Sequence, residues 1–182
     1  MAKIRRLEVN EYSPYFTTEG MRFREFPSRY RQIRNYATII AFEAPNEFKM
    51  GNLLEQQISE LIKNAVIHGN RKDESKVVRA WWEFKPKERF ARIIVEDQGE
   101  GFTTLEQWNE FNEKRTKYFL ENNFDEMLKF ISYRTSESSE LDGGNALFAA
   151  IEFWNSGMIY NKKKNKVVAL RYYTDKELKG EY

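Results

Sequence analysis

Glu60 and Asn64 stand four residues apart in the stretch "ISELIKNAVIHGN", Ile58 to Asn70. A helix there buries Ile58, Leu61, Ile62 and Ala65, and it sets the carboxylate and the carboxamide one turn apart on its flank. On a helical wheel the pair lies roughly 100–140° from the centre of the apolar stripe. It borders the core, facing a cleft beside it, where most helices put Lys and Glu into water.

Two further stretches carry residue types suited to chemistry. "VEDQGEGF", Val95 to Phe102, ends a strand in Asp97 and follows it with Gly99 and Gly101. A carboxylate at a strand end can accept a hydrogen bond from an exocyclic amine, and alternate glycines let a flat ligand approach the backbone without Cβ clashes. "DGGNALF", Asp142 to Phe148, leads Gly143 and Gly144 into a helix at Asn145, Ala146 and Leu147. A helix start of this kind offers free N–H groups and a positive dipole end to phosphate. Alone, each stretch has an ordinary reading, as a turn with an exposed Asp and as a flexible loop before a helix.

The elements that must position these residues follow from periodicity. "MRFREF" (Met21–Phe26) alternates as a strand does, and Ser28 is the expected N-cap of a helix through residues 29–44. A second helix carries Leu54, Ile58, Leu61, Ile62 and Ala65 and stops at Gly69-Asn70. "KVVRAWWEFKP" and "RFARIIVED" form a hairpin. Residues 103–142 are a polar, aromatic-spotted insert with helical spacing at Phe124, Met127, Leu128 and Ile131. "NALFAAIEFWNSG" is a helix, and "GMIYNKKKNKVVALRYY" a hairpin whose Lys-rich tip serves solubility and not nucleic-acid contact. The predicted class is α+β: a two-layer sandwich with helices on one face of a mixed, mostly antiparallel sheet.

Composition narrows the function classes. The 182 residues suit one domain, and 30 basic against 28 acidic side chains give no case for nucleic acid or an anionic membrane. No cysteine is present, which excludes thiolate catalysis and fits a reducing, cytoplasmic compartment. The N-terminus has no apolar run after its basic residues, and "YATIIAF" is a third of a membrane span. The single histidine, His68, excludes a complete histidine kinase, and its place in the last helical turn suits a structural C-terminal role.

The three stretches in this order, E-x-x-x-N-A-x-x-H-G, D-x-G-x-G-F and G-G-x-x-L-F, resemble the nucleotide site of the GHKL (histidine-kinase-like) ATPase superfamily. The resemblance is closest to the bacterial anti-sigma-factor serine/threonine kinases, and Phe26, Pro27, Ser28, Ile33 and Arg34 resemble the start of those domains. It spans roughly Met21 to Tyr173. It implies a Bergerat-type ATP-binding fold over residues 21–182 with a lid-like insert at 103–142, and it leaves residues 1–20 as an extension.

By that resemblance Asn64 holds Mg²⁺, and Glu60 orients or deprotonates a partner's Ser or Thr hydroxyl near the γ-phosphate. Asp97 accepts from the adenine amine, with Gly99 and Gly101 admitting the base. Gly143, Gly144, Asn145, Ala146 and Leu147 face the phosphates of ATP or ADP. The implied activity is transfer of the γ-phosphate to a regulatory protein of anti-anti-sigma type, with sequestration of a partner such as a sigma factor. The alternative is a non-catalytic nucleotide-binding switch whose lid binds another protein. The family pattern has Gly where this chain has Ala146, a departure that matters if the position needs a left-handed backbone. Trp108, Phe111, Tyr118, Phe119, Phe124 and Phe130 are expected to pack the insert over the site, a share of them forming a homodimer or partner surface. Arg134 and Thr135 are candidates to reach the γ-phosphate.

Overall fold

The structure, a computed structural model, describes residues 4–134 and 144–180. Six strands form one mixed sheet: β1 (Leu7–Val9), β2 (Arg22–Pro27), β3 (Val77–Lys85), β4 (Phe90–Glu96), β5 (Gly157–Tyr160) and β6 (Lys166–Tyr172). Their spatial order is β1-β5-β6-β4-β3-β2, antiparallel throughout except for the parallel β1–β5 pair. Helices α1 (Ile33–Phe42), α3 (Leu53–Asn64) and α6 (Ala146–Phe153) lie on one face, with the short α2 (Asn46–Lys49) between the first two. This is the predicted α+β layering. Among the described residues no helix is long and apolar enough to cross a membrane.

Strand β4 shows why. Its odd-numbered residues Ala91, Ile93 and Val95 join the core under the helices. Its even-numbered Phe90 and Ile94 join Ile159, Val168 and Leu170 in a second cluster on the opposite face. That second face is covered in part by Phe16 and Met21, so the N-terminal residues belong to the fold. The Arg92 guanidinium sits there too, paired with Glu83 at 2.7 Å and donating to the Tyr15 carbonyl at 3.0 Å.

Residues 1–20, expected as an extension, also supply β1. Its free edge is closed by the Asn109 side chain, whose Oδ1 accepts from Leu7 N–H at 2.8 Å while Nδ2 donates to Leu7 C=O at 3.0 Å. Asn109 belongs to α4 (Leu105–Leu120), a single long helix in an insert where the sequence showed helical spacing only from Phe124 on. Asn112, one turn on, donates to Arg5 C=O at 2.9 Å. The insert continues through α5 (Phe124–Met127), and the chain ends in α7 (Asp175–Leu178), closed by a reciprocal Thr174–Glu177 capping box.

Two local expectations change. Ser28 is no helix cap: it is fully buried, its N–H extends the sheet ladder to Lys76 C=O, and a 3₁₀ turn at Tyr30–Gln32 precedes α1. The second helix keeps its predicted buried stripe, but it widens after Asn64 into a π-helical turn, Ala65–Gly69. The bond from Asn70 N–H to Ala65 C=O, 2.7 Å, closes that turn.

Candidate functional site

The π-turn delivers Gly69 to the end of β4, where the backbone packs without tolerance. A Cβ on Gly69 would lie 2.2 Å from Asp97 Cγ, and one on Gly99 would lie 2.0 Å from the Gly69 carbonyl oxygen. Asn70, fully buried, ties the same junction by accepting from Gln98 N–H at 2.8 Å and donating to Val77 C=O at 2.9 Å. Asp97 is thus held between two glycines, with Oδ1 accepting from Gly99 N–H at 2.8 Å.

The β5–β6 hairpin tip braces this loop from the other side. Asn165 donates to Asp97 C=O at 2.7 Å, and Phe102 N–H donates to Lys164 C=O at 2.9 Å. Gly101, at φ +91°, passes so close to Lys163 that a Cβ would lie 1.9 Å from its carbonyl oxygen. The tip that the sequence assigned to solubility is therefore part of the site's frame.

These segments enclose a cavity of about 200 Å³ under α3. Glu60, Asn64, Asp97, Gly101, Gly144, Ala146 and Leu147 all line it, so seven of the ten sequence-predicted residues meet in one place. Gly99 stands behind them, buried, as the support of Asp97. Asn145 does not reach the cavity; it is exposed and borders a separate surface depression beside Arg115 and Phe148. Gly143 and Thr135 lie outside the described residues, and Arg134 is exposed without lining the cavity.

In the stretch expected to face phosphates, Gly144 has a left-handed backbone, φ +67°, and a Cβ there would meet Ser132 and Tyr133. Ala146 is the first residue of α6 and keeps a helical backbone, so its methyl carries no conformational strain. The start of the insert forms one wall through Thr103, Thr104 and Trp108, with Tyr133 beside them. Trp108 and Phe111 stack on Phe148 of α6, and Phe130 meets both Phe111 and Tyr118 edge-on or tilted. Phe119 and Phe124, expected in the same packing, are exposed.

Sequence reasoning passed over several lining groups. Lys63 follows Glu60 by three residues and brings its Nζ to 3.7 Å from Glu60 Oε2. His68 borders the cavity although its position suited a purely structural part. Tyr160, Lys164 and Val167 come from the last hairpin, and only the sheet register could have revealed them.

Electrostatics separate the two carboxylates. Glu60 Oε2 is sealed from solvent with no hydrogen-bond partner among the described residues. Burial pushes Asp97 up to about 6, against the opposing pull of the Gly99 N–H and of Lys163. A carboxyl whose folded value is raised stabilises the fold most below its unfolded value, and that contribution is lost as pH climbs from about 4 to about 6. Asp97→Asn removes the titration and keeps the acceptor for Gly99. Urea unfolding at pH 4.5 and 7.5 is expected to show the wild type losing stability relative to the variant at the higher pH. An unchanged difference between the two pH values would contradict the burial of this charge.

Chemically, the cavity is lined by a hydrogen-bond acceptor in Asp97, by the start of α6, and by a carboxylate and a carboxamide in Glu60 and Asn64. Among the described residues no cluster of three or more His, Asp or Glu could hold a metal. Asn64 supplies a lone amide oxygen, which suits Mg²⁺ arriving on phosphate oxygens with its own waters. No protein-family model and no curated protein matches this chain.

Proposed function

We propose that the chain is an ATP-binding protein serine/threonine kinase of the GHKL type, acting on a regulatory protein and sequestering a partner such as a sigma factor. One observation carries this reading: Glu60 and Asn64 of α3 and Asp97 at the end of β4 line a single cavity together with the start of α6. The order of those motifs along the chain is that of the resemblance, and their convergence is what a Bergerat-type nucleotide site needs.

In this reading Asp97 accepts from the adenine amine, Gly144 and the first turn of α6 receive the phosphates, and Asn64 holds Mg²⁺ against them. The metal neutralises phosphate charge when bound. A partner hydroxyl attacks the γ-phosphorus, the bond to the β–γ bridging oxygen breaks, ADP leaves, and the hydroxyl proton passes to the carboxylate of Glu60, which lines the cavity. Labelled γ-phosphate is expected to appear on Ser or Thr of the partner as an acid-stable ester. Acid-labile label would instead identify a histidine acceptor and reject the serine/threonine assignment.

A second reading, a nucleotide-gated binding module without transfer, is favoured by the insert surface. Phe119, Leu120, Phe124, Leu128 and Ile131 stand exposed near the end of α4 and beyond it, as a partner seat would. A partner complex that persists for hours with ATP and carries no phosphate would support it over the kinase.

A further inference from the structure

Tyr160 closes β5 on the helix-facing side of the sheet, directly across from Val167 of β6. It is 8% exposed and lines the cavity, with its ring edge-on to Phe102 at 6.0 Å. A buried phenol ordinarily finds a hydrogen-bond partner, because leaving its hydroxyl unpaired is costly. Among the described residues the Tyr160 hydroxyl has none. Its oxygen is not sealed off, so it opens on the cavity. Val167 opposite offers only hydrocarbon. Burial first, and the charge of Asp97 second, hold the phenol well above its ordinary value, which keeps it a protonated donor at neutral pH.

We infer that Tyr160 reads the base, donating its O–H to a ring nitrogen beside the amine that Asp97 accepts. This inference rests on the nucleotide reading of the cavity. An acceptor carboxylate next to a donor phenol matches a 6-aminopurine, which presents an amine and, adjacent to it, an unprotonated nitrogen. A 6-oxopurine presents the reverse order, carbonyl acceptor then N–H donor: its carbonyl opposes the Asp97 carboxylate, and the phenol has to turn from donor to acceptor. Tyr160 is thus a specificity-determining residue that its distance in sequence from all three motifs conceals.

The test titrates ATP and 1-deaza-ATP, which has carbon in place of that nitrogen, into the wild type and Tyr160→Phe. ATP is expected to bind the variant about tenfold more weakly. The analogue should lose a similar factor in the wild type and no further factor in Tyr160→Phe. Because the hydroxyl has no partner among the described residues, the melting temperature of the ligand-free variant should be unchanged or higher. Equal ATP affinity in both proteins would overturn the assignment, as would a lower melting temperature large enough to account for the affinity lost. Independent, additive losses from the variant and the analogue would overturn the choice of nitrogen. A wild type that binds neither nucleotide would instead overturn the reading of the cavity itself.

Discussion

Glu60→Gln is expected to abolish phosphoryl transfer, by about 10²- to 10⁴-fold, while leaving ATP affinity within a few-fold of the wild type. The substitution preserves shape and removes the proton acceptor. In the resting protein Glu60 Oε2 is buried without a hydrogen bond among the described residues, 3.7 Å from Lys63 Nζ, while the residue lines the cavity. That arrangement costs stability in the absence of substrate. Glu60→Gln should therefore melt no lower than the wild type, the pattern of a group kept for chemistry and not for the fold. Single-turnover transfer measured beside a thermal melt checks both halves. Full transfer by Glu60→Gln would remove Glu60 from the mechanism.

Gly99→Ala carries the largest structural effect. Its Cβ would lie 2.0 Å from the Gly69 carbonyl oxygen and 2.6 Å from the carbonyl carbon, so backbone meets backbone and one loop has to move. An expected cost of about 3 kcal/mol or more corresponds to a melting temperature lower by about 10 °C for a chain of this size. Gly69→Ala differs in kind. The three atoms nearest its Cβ all belong to the Asp97 carboxyl group, so the side chain is expelled and the backbone stays. Nucleotide binding should fail in Gly69→Ala with a smaller loss of stability, and both should fail in Gly99→Ala. A Gly99→Ala protein that melts with the wild type would refute the interlocked junction.

The parts legible in the sequence were those with one dominant signal. Leu54, Ile58, Leu61 and Ile62 repeat as a helix stripe, and β4 reads as a β-rich run broken by one charge, Arg92, so α3, the β3–β4 hairpin and the layer order could be read directly. Helix α4 escaped because its buried positions are Leu105, Trp108, Asn109 and Asn112. The spacing is helical, but two of the four are Asn, placed there to close the edge of β1, and a hydrophobic pattern counts them as surface. Strand β1 escaped for the complementary reason: it has three residues, and a side chain, Asn109, bonds to its outer edge where another strand would.

Within the site, the motif residues on α3 and β4 were legible because residue type and spacing both marked them. Tyr160, Lys164 and Asn165 were not, since a hairpin tip looks alike whether it faces water or a loop of another hairpin. The positive φ at Gly144 and the helical backbone at Ala146 follow from chain geometry, which one missing glycine in a motif does not report.

The pH dependence of binding adds a signature of the same residue. With Asp97 near 6, protonation competes with amine recognition, and ATP should bind about tenfold more weakly at pH 5 than above neutrality. The most direct measurement is calorimetric titration of ATP, with and without Mg²⁺, into the wild type and Asp97→Asn at pH 7.5. Saturable Mg²⁺-dependent binding by the wild type, lost in Asp97→Asn while its fold remains intact, is the expected result. No heat at about 1 mM nucleotide, or equal binding by both proteins, would mean that the cavity under α3 is not a nucleotide site.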